Sequence, residues 1–173
     1  WPQLSLFFQA GPAVAMSDVT QMEVIVDWLG EYQPSMLLGM AAVLECIALA
    51  AGDKLLAVDR VLSISQQLPL PMEQLIAQNL SASVSENYGC NEIGLIASRC
   101  PVSHRFHIHV EHALVEILND DDSPCAEGES GRLVVTGLNN PAMPLLRYDT
   151  GDYARRLGHR CECGRTLPSF DPL

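Results

Sequence analysis

Three short groups of residues in this chain have types and spacings that could do chemistry. Tyr88-Gly89-Cys90-Asn91-Glu92 brings an aromatic ring, a glycine, an amide and a carboxylate within one turn's length. A glycine closing a strand lets backbone approach a ligand, and a tyrosine ring can pack against a nucleobase. The Glu92 carboxylate can hold a hard cation such as Mg²⁺ against phosphates. Further on, Arg147-Tyr148-Asp149-Thr150-Gly151-Asp152 reads as a strand running into a tight turn, with Asp152 opening the next strand. A carboxylate held there can accept hydrogen bonds from vicinal hydroxyls, as on a ribose. Each group also has a plainer reading, a strand-end turn for the first and a hairpin whose Asp satisfies backbone amides for the second.

The third group is built from sulfur and imidazole. Cys161 and Cys163 are one residue apart, too close for an unstrained disulfide with each other but well spaced to present two thiolates to one ion. Cys100 is followed seven positions later by His107. Three sulfurs and one imidazole make a closed tetrahedral Zn²⁺ site, structural rather than catalytic. His104, His109 and His112 compete for the fourth place, His109 foremost because on a strand it shares a face with His107. The alternative without metal is a set of free thiols near a surface turn. Cys46, between Glu45 and Ile47, reads as a buried thiol.

Two kinds of element must carry these groups. Residues 1–17 mix aromatics, Gly11 and Pro12 without a clear period. Ser17-Asp18 offers a helix cap, and Met22, Ile25, Val26 and Leu29 then recur at helical spacing up to Gly30. Met36 to Gly39 reads as a short buried strand, Ala41 to Ala51 as a helix ended by Gly52, and Arg60 to Ser65 as a second strand. Pro69 and Pro71 open a helix through Asn79, and Ala82 to Glu86 is a third strand ending at Asn87-Tyr88-Gly89. Strands alternating with helices imply parallel α/β winding, whose ligands bind beyond the carboxyl ends of the strands. After Gly94 the pattern changes to strands alone: 108–110, 114–118, 133–137 and 152–157, with an acidic loop at 119–131. The expected fold is therefore α/β, a parallel layered subdomain over residues 1–98 followed by an antiparallel, barrel-like subdomain over residues 99–173.

Composition narrows the partners. The chain has 173 residues, 48% of them hydrophobic and 18% charged, and a net charge of −11. That balance argues against nucleic acid or an anionic membrane, both of which require basic surface. With six cysteines in a chain this size, a reducing, cytoplasmic compartment is the expectation. Trp1, Leu4, Leu6, Phe7, Phe8, Val14, Met16, Ile25 and Trp28 crowd the first thirty residues, which implies either self-association through an apolar surface or poor solubility.

In order and spacing, Tyr88-Gly-x-x-Glu92, Arg147-Tyr-x-Thr-Gly-Asp152 and Cys161-x-Cys-Gly-Arg165 resemble the acyl-adenylate-forming enzymes, within them the phenylacetate–CoA ligase-like branch. The resemblance implies an ATP/AMP site with Mg²⁺, in which Tyr88 and Gly89 lie near the adenine, Asn91 near the α-phosphate, Glu92 toward the metal and Asp152 at the ribose. It also favours zinc on Cys100, His107, Cys161 and Cys163. Four positions, in three segments, depart from the family pattern. Asn91 replaces a hydroxyl residue, Asp149 stands where Arg is common, and Ser65-Gln66 replace a Gly and an acid in a loop that borders the adenine. That loop is expected to cap the helix beginning near Pro71, and Arg147 to anchor its turn. The implied parent enzyme activates a carboxylic acid with ATP and passes the acyl group to coenzyme A. Its phosphate loop and its catalytic lid Lys have no counterpart here, where Lys54 is the sole lysine, so no catalytic residue is assigned and the chain alone is expected to be inactive. A stand-alone zinc-stabilised binding module is the other reading.

Overall fold

The computed structural model describes residues 13–17, 19–52, 54, 56 and 58–173. Trp1, Leu4, Leu6, Phe7 and Phe8, on which the expected apolar surface mainly rests, lie outside the described residues, as does Asp18.

The first half alternates helix and strand: α1 (Met22–Tyr32), β1 (Met36–Met40), α2 (Ala41–Ala51), β2 (Arg60–Ile64), α3 (Leu70–Leu80) and β3 (Ser83–Cys90). Helical spacing puts Ile25, Val26 and Leu29 of α1 on one buried face. The helix begins after Gln21 without a side-chain cap, because the Ser17 hydroxyl instead accepts the Val19 amide in a preceding turn. It runs past Gly30 to a left-handed Gln33, whose N–H closes on the Leu29 carbonyl just before Pro34. In α2 the same period turns Leu44, Ile47, Ala48 and Ala51 inward. Cys46 consequently faces outward and is exposed, contrary to the sequence expectation. Pro69 and Pro71 open α3 as anticipated, since neither amide is missed in a first turn.

β1, β2 and β3 pair in parallel, with Leu38 beside Leu62 and Leu62 beside Ser85. Val61 packs with Leu44, Ile76 and Leu80 in a core that the helices cover from one side. On the other face Met36 and Leu38 are 51% and 56% exposed, so β1 is a half-bare edge strand rather than a buried one.

β3 is the hinge of the architecture. Its residues 83–86 pair in parallel with β2, and its residues 87–90 pair antiparallel with β4 (Gly94–Arg99). The Tyr88-Gly89-Cys90 run is thus strand, and the turn expected there falls one step later, at residues 91–93. β5 (Phe106–Ile108), β6 (Ala113–Leu118), β7 (Ser130–Gly137), β8 (Tyr148–Leu157) and β9 (Ser169–Pro172) complete a nine-stranded order β1-β2-β3-β4-β5-β9-β8-β7-β6.

The antiparallel part is curled. A tight turn, closed by the Ala113 amide on the His109 carbonyl, joins β5 to β6, yet β9, β8 and β7 lie between those two strands in the ladder. In a flat sheet they would stand roughly 19 Å apart, at about 4.8 Å per spacing. Curling lets Ile96, Phe106, Ile117, Leu133, Ala154 and Phe170, from six different strands, share a second core. The fold is a parallel α/β layer joined to an antiparallel, barrel-like one.

Candidate functional site

Thr150-Gly151-Asp152 does not end a strand, because β8 continues through it. Pairing with β7 runs from Arg132 opposite Tyr153 to Val134 opposite Asp149, so residues 150–152 face Leu133 alone. This bulge is held by side chains. The Thr150 hydroxyl donates to the Leu133 carbonyl at 2.9 Å and accepts the Asp152 amide at 3.2 Å. Asp149 accepts the Gly151 amide at 3.0 Å and Arg132 at 2.6 Å. These bonds, the Gly151 amide foremost, hold the Asp149 carboxyl below its usual range. Gly151 supplies the positive φ of 80° that the bend requires. Asp149, to which the sequence reading gave no role, is therefore one of the pins of the bulge. Arg147 takes the anchoring place expected of it, donating to Glu116 through Nε and to Thr136 Oγ1 through its amide.

The bulge aims Asp152 at β3, where the Tyr88 hydroxyl donates to Asp152 Oδ2 at 2.5 Å. The Tyr88 ring stands edge-on to Phe106 and Phe170, with centroids 6.5 and 5.4 Å away, and those two rings stack at 5.8 Å. Burial and the Asp152 carboxylate together push the Tyr88 phenol well above its usual range. Among the described residues no side chain donates to Asp152 Oδ1, so the carboxylate accepts from Tyr88 through Oδ2 and can accept from a ligand through Oδ1.

These residues border a cleft of about 210 Å³, where β3 changes partners. Ser65, Gln66, Gln67, Asn87, Tyr88, Gly89 and Asp152 are among its walls. From sequence the loop of Ser65 and Gln66 is expected to cap α3. The structure does otherwise: Gln66 Oε1 accepts the Ala42 amide and caps α2. Ser65 sits at φ 65°, a left-handed conformation that glycine tolerates best, which was the available signal that this loop keeps its special shape. Gly89 does line the cleft, but its lack of a side chain is dictated by β4. A Cβ there would run into the Gly94 carbonyl oxygen.

Asn91 and Glu92 lie on the β3–β4 turn, exposed and outside the lining of the cleft. Tyr148 donates to Glu92 Oε1 at 3.2 Å. Hydrogen bonds, first from its own backbone amide and then from Cys90, keep the Glu92 carboxyl low and ionised at neutral pH. Lys54 pairs with Asp27 at 2.5 Å, on α1 and away from the cleft.

The other group assembles on the far side of β5. Cys100, at the end of β4, His107 in β5, and Cys161 and Cys163 in the β8–β9 turn bring their ligand atoms within 4.8 Å of one another. The Cys100 and Cys161 sulfurs are 3.7 Å apart, and Cys163 Sγ is 3.4 Å from His107 Nε2. Tetrahedral bonds of about 2.3 Å to sulfur and 2.0 Å to nitrogen require separations of about 3.8 and 3.5 Å, so the donor set fits Zn²⁺. Backbone turns shape both halves: the His104 amide closes on the Cys100 carbonyl, and the Gly164 amide closes on the Cys161 carbonyl. The Val102 amide and the Ser103 hydroxyl lie 3.4 and 3.0 Å from Cys100 and Cys161 sulfur. Burial raises the Cys100 thiol, but bonds from Ser103, Val102 and His107 outweigh it and bring it down to about 5. His109, the rival ligand, is instead within 2.9 Å of Ser98 Oγ. The six cysteines are all free thiols.

No protein-family model matches the chain. A 102-residue stretch is 35% identical to the phenylacetate-coenzyme A ligase of Thermus thermophilus, covering 57% of this chain and 23% of that protein. The phenylacetate-coenzyme A ligase of Escherichia coli is 32% identical over 90 residues, which are 50% of this chain and 21% of the relative. Among solved structures, 2-hydroxyisobutyryl-CoA ligase, in complex with 2-HIB-AMP and CoA, superposes with a TM-score of 0.79 at 18% identity, over 91% of this chain and 39% of that one. The chain thus spans well under half the length of these proteins. Among the described residues no helix is long and apolar enough to cross a membrane. In sequence the chain is thus similar to part of the phenylacetate-coenzyme A ligases, and its fold is that of a segment of a coenzyme A ligase.

Proposed function

We propose that this chain supplies the adenosine-binding part of an ATP-dependent carboxylic acid–coenzyme A ligase. The observation that carries the reading is the Tyr88–Asp152 pair, set in a cleft at the carboxyl end of the parallel strands. Asp152 Oδ1 accepts a ribose hydroxyl, and Tyr88 holds the carboxylate in the orientation for it. The 65–67 loop and Gly89 border the base. Glu92, ionised and exposed on the β3–β4 turn beside the cleft, would hold Mg²⁺ against a phosphate, and the Asn91 amide would donate to a phosphate oxygen. The carboxylic acid and coenzyme A are substrates of the whole enzyme, in keeping with the names of its relatives. The chain's one lysine is paired with Asp27, so the 173 residues bring no ammonium to a reacting phosphate and bind nucleotide without turnover.

Cys100, His107, Cys161 and Cys163 hold a structural Zn²⁺, which closes the loops at one end of the barrel-like half. Residues 1–98 and 99–173 act as the two subdomains and both line the cleft, with the second core reaching back to Ile96 and Ala97 of β4.

Calorimetric titration with AMP tests the nucleotide reading. Binding by the wild-type chain, weakened about tenfold or more by Asp152→Ala, supports it, because a hydrogen bond to a charged group contributes about 1.5–3 kcal/mol. Equal affinity in the two proteins, or pyrophosphate release from ATP with aryl or fatty acids by this chain alone, counts against it.

A further inference from the structure

The cleft loop is gripped by a buried charge cluster to which the nucleotide reading gives no role, although one member, Glu86, is itself among the residues lining the cleft. Leu68, directly after the three cleft-lining residues, has both halves of its backbone engaged. Its amide donates to Glu86 Oε1 at 3.0 Å, and its carbonyl accepts from Arg99 Nη1 at 3.1 Å. The same Arg99 nitrogen lies 3.2 Å from Glu86 Oε2 and 2.9 Å from Glu73 Oε2 on α3. The side chains of Arg99 and Glu86 are only 13% and 7% exposed. Burial dominates at Glu86 and raises its carboxyl above the usual range, in spite of Leu68 and Arg99.

The loop needs such a grip. Ser65 takes the left-handed conformation at a cost of roughly 1–2 kcal/mol for a residue with a Cβ. The Gln66 side-chain oxygen Oε1 is taken up by the Ala42 amide of α2. Arg99 and Glu86 fix the next residue, Leu68, from two sides. Glu86 is also two positions before Tyr88 on β3, so one rigid strand sets both the clamp and the tyrosine.

We infer that Arg99, acting through Glu86 and the Leu68 peptide, is a positioning residue for the nucleotide cleft: it holds Ser65–Gln67 at the base edge without touching the ligand. The inference rests on the nucleotide reading above.

The test compares wild type, Arg99→Lys and Arg99→Met by two readouts, amide exchange at Leu68 and AMP affinity. Arg99→Lys keeps the charge near its carboxylates and guards against a variant that fails to fold. Chelatable zinc and far-ultraviolet circular dichroism establish that each protein is folded. The expected result is Leu68 exchange at least tenfold faster and AMP Kd about tenfold higher in Arg99→Met, with Arg99→Lys between it and wild type in both. Unchanged Leu68 exchange overturns the clamp. Faster exchange with unchanged AMP Kd overturns the positioning role and leaves the nucleotide reading standing. A wild-type chain that binds no AMP removes the nucleotide reading and the positioning role together, and the exchange data then report the clamp alone.

Discussion

The hydroxyl of Tyr88 donates to Oδ2 of Asp152 at 2.5 Å, joining β3 to the β8 bulge across 64 positions of sequence. The bond closes one side of the carboxylate and leaves the other to the cleft. It also ties the titration of the phenol to the carboxylate.

Spectrophotometric titration of the four tyrosines is expected to show Tyr88 ionising last. Its folded-state pKa is raised above the ordinary 10.0, first by burial and then by Asp152. The stability it contributes is therefore complete below pH 10.0 and is lost as pH climbs through the raised value. Asp152→Asn brings the Tyr88 transition down toward ordinary phenols. An unchanged transition in that variant would mean that the carboxylate does not govern the phenol.

Asp149 has the opposite sign. Its pKa is lowered from 3.8 by the Gly151 amide and then by Arg132, so its contribution is present above 3.8 and disappears as pH falls through the depressed value. Carboxyl-carbon NMR is expected to place its midpoint below that of an unstructured Asp. Asp149→Asn should speed Gly151 amide exchange and weaken AMP binding, because the bulge aims Asp152. A midpoint at the ordinary value would show that the turn is not held in solution.

Gly89→Ala is expected to destabilise the chain by about 1–3 kcal/mol, the usual cost of overpacking, because the new methyl meets backbone of Gly94 rather than a movable side chain. Chemical denaturation measures it. A loss of nucleotide affinity with no loss of stability would instead place the requirement at the ligand.

Purified chain should carry about one Zn²⁺, and Cys163→Ser should lower its retention against a chelator, since a three-ligand site is no longer closed. Removal of the metal is expected to loosen β4, β5 and the β8–β9 turn before the helical half, whose core lies elsewhere. Metal analysis showing no zinc in either protein would sink the proposal.

Much of this molecule is legible from its residues alone, for local reasons. α2 and α3 follow from apolar spacing and from Gly52, Pro69 and Pro71, because helix period and terminal backbone geometry depend on a few neighbouring residues. The three alternating strands announce a parallel layer. Cys-x-Cys with a distant Cys and His announces a metal-binding geometry, since ligand chemistry is written in residue type. Tyr88 and Asp152 could be named as partners of one ligand through their family resemblance.

Tertiary structure decided what depends on long-range pairing. β9 has only four residues, two of them at a chain end rich in proline, and it exists because β5 and β8 flank it. Whether Thr150-Gly151-Asp152 turns or bulges depends on Leu133, whose carbonyl Thr150 satisfies from another strand. The choice of His107 over His109 follows from β5 ending at Ile108, so that His109 enters the next turn and its ring meets Ser98 instead. The cleft role of Ser65–Gln67 depends on Glu86 and Arg99, 18 and 31 positions away from the Leu68 that they hold. Local sequence sets backbone preference and side-chain chemistry, whereas the partner of a buried carboxylate or an unpaired carbonyl is chosen only when distant strands pack and exclude water.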